Sequence, residues 1–191
     1  MSEPAALAAA DVTFARLLRE LQGPLLGFAR GMAGDDEQAR DIVQDVFVDA
    51  WRAARGGAPP FTATGDADGM RRWLFHAAYV RAAGVHRRGR IIRWESLDTN
   101  ALDEASHPRE ARALEDQVIE AEVLREALAS LEPEDVACVL LNVVQGFTAQ
   151  EIARVVGVTP EAAKKRVSRA KQRLRAAYFS KNPRAEKGAR A

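Results

Sequence analysis

A single cysteine among 191 residues leaves this chain without any intramolecular disulfide. Cys138 lies in the apolar run from Val136 to Val144, where a small buried hydrophobe is expected and a nucleophile is not. No apolar run reaches the roughly 18 residues of a membrane span. The opening MSEPAALAAADVT has neither the cationic start nor the long apolar stretch of a secretory signal, so a cytoplasmic protein is expected. Strand signals are essentially missing. The three histidines, His76, His86 and His107, have no cysteine or paired carboxylates at ligand spacing, so neither a metal nor a cofactor is expected. There is no Gly-rich phosphate loop and no nucleophile motif, which leaves an enzyme reading with little support.

An excess of either charge is missing too: 28 Lys and Arg stand against 27 Asp and Glu, a net of +1. The distribution is what carries information. From Gly69 to Trp94 there are seven arginines and no acids. From Glu95 to Asp135 there are thirteen acids against three arginines, and from Glu161 onward eleven Lys or Arg against two acids. Two basic blocks around an acidic one imply two nucleic-acid surfaces and a segment that avoids them.

The strongest local pattern is GFTAQEIARVVGVTPEAAKKRVSRAKQRLRAAY, residues 146–178. Thr148 with Glu151 makes a capping box. Ala149, Ile152, Ala153 and Val156 share a face, and Gly157 suits a helix end at positive φ. Thr159 caps a second helix with Pro160 at its first position. In that helix Ala163, Val167, Ala170, Leu174 and Ala177 form a buried stripe. Glu161, Lys165, Ser168 and Gln172 point the other way, with Lys164 and Arg169 beside them. The same pattern fits a plain αα-hairpin in a bundle. The cationic outer side favours a helix-turn-helix shaped for the major groove.

In the first half, residues 1–10 are expected to be loose. Phe14, Leu17, Leu18 and Leu21 begin a helical face that Gly23-Pro24 interrupts and Leu25, Phe28, Ala29 and Met32 resume. After Gly34-Asp35-Asp36, the residues Ala39, Ile42, Val43, Val46, Phe47, Ala50, Trp51 and Ala54 keep helical spacing. Asp41, Gln44, Asp45 and Asp49 lie off that stripe; alone, the segment reads as a core helix with a solvated acidic back. A loop is expected over 56–69, with Phe61 its only large apolar residue. A helix from Met70 to Arg90 follows, with Trp73, Leu74, Ala77, Ala78 and Val80 apolar and Trp73 read as core. Its arginines interleave with Phe75, His76 and Tyr79, the means of holding single-stranded DNA. Residues 95–112 read as a flexible linker. Leu114 to Leu131, including Leu124, and Glu134 to Gln145, including Val143 and Val144, complete a small core under the helix-turn-helix.

Taken together, DIVQDVFVDAW at 41–51, RRWLFHAA at 71–78 and the long run from LREALASLEPEDV to KQRLR resemble the extracytoplasmic-function sigma factors of bacterial RNA polymerase. The resemblance covers roughly residues 11–180. It implies an all-α fold of two small helical domains, the second a helix-turn-helix domain, joined by an acidic linker. The boundaries are 11–93, 94–112 and 113–180, with a basic tail at 181–191. It also implies that Asp41, Val43, Gln44, Asp45 and Phe47 dock on RNA polymerase core, whose large-subunit coiled coil and flap are the expected surfaces. Phe61, Arg71, Arg72, Phe75, His76, Tyr79, Arg87 and Arg88 would serve the downstream promoter element as single strand. Thr159, Glu161, Lys164, Lys165, Arg166, Ser168 and Arg169 would serve the upstream element as duplex. An anti-sigma protein is implied as a further partner. Where the family commonly has Asn and, four residues on, Asp, this chain has Val80 and Gly84, and Glu161-Ala162-Ala163 replaces Gly-Thr-Val.

Two other readings compete. An autonomous helix-turn-helix regulator would footprint an operator without polymerase. A sigma-like decoy would bind a regulator and leave transcription untouched when Lys165 and Arg169 are replaced.

Overall fold

The computed structural model describes residues 3–57, 66–89 and 108–182, with side chains described for 15–16, 18–57, 66–85 and 119–182. Among these every element is helical: α1 (Glu3–Ala33), α2 (Asp36–Arg55), α3 (Ala67–Gly89), α4 (Pro108–Ala129), α5 (Pro133–Val139), α6 (Ala149–Val156) and α7 (Pro160–Lys181). A π-turn, Leu140–Val144, extends α5.

The first three helices pack on one another. Contrary to the break expected at Gly23-Pro24, α1 runs unbroken through Pro24, and it begins at Glu3 where a loose end was expected. A mid-helix proline costs about 3 kcal/mol when packing does not compensate. Here the turn after it places Leu25, Phe28, Ala29 and Met32 in the core with almost no exposure. Burial of such side chains contributes roughly 1.5–3 kcal/mol each, enough to hold the helix through the defect. Asp35 caps α2 by accepting from the Gln38 amide at 2.7 Å. Asp66 accepts from the Gly69 amide, and α3 therefore starts at Ala67, inside what was expected to be loop. Val80, read as apolar packing, is 50% exposed on α3.

In the second half α7 lies against α4, α5 and α6. Pro108 opens α4 earlier than the Leu114 start that periodicity suggested, and Leu124 is exposed on it. The helix expected to run regularly to Gln145 widens after Val139, where the Gln145 amide bonds back to the Leu140 carbonyl at 3.1 Å. A π-turn inserts a residue and rotates everything after it. Val143 and Val144, expected in the core, are consequently 59% and 64% exposed. Cys138 is buried as expected, and burial pushes its thiol up to about 11.

The two halves share one apolar core. Phe75 of α3 stands edge-on between Phe28 of α1, at 5.5 Å, and Phe147 before α6, at 5.2 Å, and all three are buried. Edge-to-face pairs of this kind contribute about 0.5–1.5 kcal/mol beyond their buried area.

Candidate nucleic-acid and polymerase interfaces

The local signals of the helix-turn-helix are realised bond by bond. Thr148 Oγ1 accepts from the Glu151 amide at 3.3 Å, and the Thr148 amide donates to Glu151 Oε2 at 2.9 Å. Those Thr148 bonds hold the Glu151 carboxyl below the ordinary carboxylate range, with Arg72 and Arg71 adding to the effect. Gly157 takes φ 79°, the left-handed conformation that lets α6 end in one residue. Thr159 Oγ1 then accepts from the Ala162 amide at 3.2 Å, so this side chain is committed to capping α7.

On α7, Ala163 and Ala170 are fully buried, and Val167 and Leu174 pack against the core. Glu161, Lys164, Lys165, Ser168 and Arg169 are exposed on the outer side. Arg166 is half-buried and lies 3.8 Å from Glu134 of α5. The helix is anchored by small residues on one side and presents three exposed cations, the half-buried Arg166 and a hydroxyl on the other. Such a surface attracts phosphate and reaches base edges.

On α2, Asp41, Gln44 and Asp45 are exposed, Val43 is buried and Phe47 is half-buried. Val43, Gln44, Phe47, Val48 and Trp51, with Leu26 of α1, line an open groove of about 510 Å³. Trp51, which periodicity assigned to the core stripe, is 49% exposed beside it. Gln22 and Arg40 complete the lining, and an open groove with so apolar a wall suits a protein surface rather than DNA.

The strand-binding candidates on α3 sit differently. Phe75 is buried. Arg71 lies over the Phe147 ring with its guanidinium carbon 4.2 Å from the centroid, and it donates to the Gln145 carbonyl. Arg72 lies 3.7 Å from Asp66 and 4.0 Å from Glu151. His76 Nδ1 bonds to the Val155 carbonyl at 2.7 Å, and because a carbonyl only accepts, Nδ1 carries the proton. Tyr79 is half-buried. Phe61, and the side chains of Arg87 and Arg88, lie outside the described residues. The engagement of α3 by the helix-turn-helix has no precursor in the sequence pattern, because its partners are 74 and 79 residues apart.

Comparison with known proteins closes the question of family. Residues 17–60 match Sigma-70 region 2 and residues 121–174 match Sigma-70 region 4, in that order along the chain. The ECF RNA polymerase sigma factor SigL of Mycobacterium tuberculosis is 28% identical over 177 residues, covering 92% of this chain and 94% of SigL. The ECF RNA polymerase sigma factor SigE of Mycolicibacterium smegmatis is 29% identical over 170 residues, covering 87% of this chain and 62% of SigE. In fold the chain is similar to CnrH, solved in complex with the cytosolic domain of CnrY, with a TM-score of 0.61 at 23% identity over 93% of this chain and 94% of that one. It is also similar to the sigma factor RpoE of Bartonella quintana, solved with the anti-sigma factor NepR, with a TM-score of 0.64 at 22% identity over 86% and 96%. With both sigma regions in order and SigL matching over nearly its whole length, this chain belongs to the extracytoplasmic-function family of RNA polymerase sigma factors.

Proposed function

We propose that this sigma factor divides promoter recognition among three surfaces while bound to core RNA polymerase. The apolar groove of α2, with the exposed Asp41, Gln44 and Asp45 of the same helix, docks on the polymerase. The outer side of α7 reads the upstream promoter element as duplex, Lys164, Lys165, Arg166 and Arg169 serving phosphates and base edges together with Ser168 and Glu161. The face of α3 bearing Arg71, Arg72, Phe75, His76 and Tyr79, together with Arg87 and Arg88 and with Phe61 ahead of it in the sequence, holds the opened strand downstream. The observation that carries the reading is the segregation of surface chemistry: exposed cations on α7, and an open apolar groove on α2.

The chain works by binding and catalyses no reaction of its own, and it acts in the cytoplasm, where polymerase and promoter are. Among the described residues no helix is long and apolar enough to cross a membrane. CnrH and RpoE were each solved with a second chain, CnrY and the anti-sigma factor NepR. By extension an anti-sigma protein restrains this chain.

The division of labour is separable by variants. Trp51→Ala, at the polymerase groove, should weaken binding to core enzyme by about 2 kcal/mol, the usual loss for an aromatic anchor, and lower transcription in proportion. Lys165→Ala with Arg169→Ala should leave core binding intact while abolishing promoter selection. Pull-down and in-vitro transcription on the same preparations read both. If the two variants fail at the same step, the division is wrong.

A further inference from the structure

Ion pairing divides the cations of α7 into two sets. Arg166 meets Glu134, Arg173 meets Asp135 and Lys181 meets Glu126, each an acid of α4 or α5. Lys164, Lys165, Arg169, Lys171 and Arg175 have no carboxylate within ion-pair distance among the described residues. The second set runs past the residues assigned above to the upstream element. Lys165, Ser168, Gln172, Arg175 and Phe179 follow one another at spacings of three and four, so one outer stripe extends along nearly the whole helix. Glu161, the only acid of α7, lies at its other end.

At the far end of the stripe Gln172, Arg175, Ala176, Phe179 and Ser180 line an open pocket of about 420 Å³. Gln172, Arg175 and Ser180 are exposed, and they bring amide, guanidinium and hydroxyl donors to a wall that holds no acid. The guanidinium carbon of Arg175 lies 5.4 Å from the centre of the Phe179 ring, which packs edge-on against Tyr178 at 5.6 Å. A ring under the guanidinium restrains a long side chain that water alone would leave free to turn.

We propose that this pocket is a phosphate site, taking a backbone phosphate of the duplex just outside the upstream element. The inference rests on the proposed reading of α7. Arg175 lies ten residues beyond Lys165. That is about 15 Å along the helix axis, whereas the major groove is about 12 Å wide. With Lys165 at the base edges, Arg175 therefore stands over the sugar–phosphate wall. Contacts there fix register and carry no sequence information. Phe179 is a positioning residue that acts through Arg175.

The test is a titration of promoter DNA, over a series of salt concentrations, with holoenzyme assembled from core polymerase and the full-length chain. Each neutralised phosphate adds about 0.9 to the salt slope, so the deficit of Arg175→Gln should be about 3.5-fold larger at 50 mM salt than at 200 mM. The deficit should be the same on promoters with altered upstream elements, whereas Lys165→Ala with Arg169→Ala should change the preference among them. Arg175→Lys should keep the wild-type slope, which a merely structural arginine would not require. Phe179→Leu should weaken the wild type and have no further effect on Arg175→Gln; additive losses would deny it the positioning role. Neutral methylphosphonate linkages placed singly along the flank should reveal one position at which wild type and Arg175→Gln bind equally.

Wild-type affinity and slope in Arg175→Gln overturn the phosphate site. So does a deficit that no methylphosphonate removes, which means that the pocket meets an acidic protein surface instead of DNA. Altered preference in the Lys165 and Arg169 double variant, with no effect of Arg175→Gln, means that only the phosphate site is wrong. Unaltered preference in that double variant means the reading of α7 has failed, and the site with it.

Discussion

Asp135 is buried at 5% exposure on α5, and Arg173 of α7 meets its Oδ2 at 2.7 Å. The guanidinium is largely in water, so the pair is not a sealed ion pair; its value lies in keeping a buried carboxylate partnered. Arg173→Ala should therefore destabilise the fold by about 1–3 kcal/mol, the cost of leaving a buried polar group without its partner. Asp135→Asn, which removes the charge and keeps the shape, should cost less. Urea denaturation at unchanged m-value checks both, and a smaller loss for Arg173→Ala than for Asp135→Asn would contradict the assignment. At this scale the sequence was informative about Cys138, whose apolar neighbours announced burial. It was silent about Asp135, because nothing local distinguishes an acid that faces α7 from one that faces water.

At the scale of the element, α6 is secured at both ends by short-range chemistry, which is why it was legible. The caps, the left-handed Gly157 and the proline at the start of α7 depend on residues within four positions of one another. Thr148→Ala should cost about 1 kcal/mol at neutral pH, the usual loss for a threonine cap. The capping bond also sets a pH dependence. Glu151 is held below its ordinary value of 4.5 in the folded chain, chiefly by the Thr148 amide and hydroxyl. Its contribution is complete above that value and is lost as pH falls through the lowered one. The stability difference between wild type and Glu151→Gln should accordingly shrink as the pH is taken down into the acid range, and chemical denaturation at a series of pH values measures it. A difference that grows toward acid would put the carboxylate in some other role. Where helices departed from the pattern, tertiary packing was responsible. Pro24 is carried by the buried residues of the following turn, and the π-turn at Leu140–Val144 turns two valines outward that a regular helix would have buried. Neither effect has a signature within its own segment.

For the whole molecule, the sequence divided the chain into two helical units and assigned a surface to each, from the spacing of apolar residues and the blocks of charge. It did not reveal that the units share a core through Phe28, Phe75 and Phe147. Contacts between residues 74 or 79 positions apart are fixed by shape complementarity between finished elements, and no periodicity records them. That junction holds α3 against the turn before α6 and the end of α6. The central claim is that this protein confers promoter choice on a polymerase rather than occupying DNA alone. Transcription from a genomic library by core polymerase, with start sites mapped with and without the purified chain, tests it most directly. Discrete new start sites that depend on the chain, and no footprint on the same promoters when polymerase is omitted, are the result expected. An unchanged set of starts, or a polymerase-independent footprint, would contradict it.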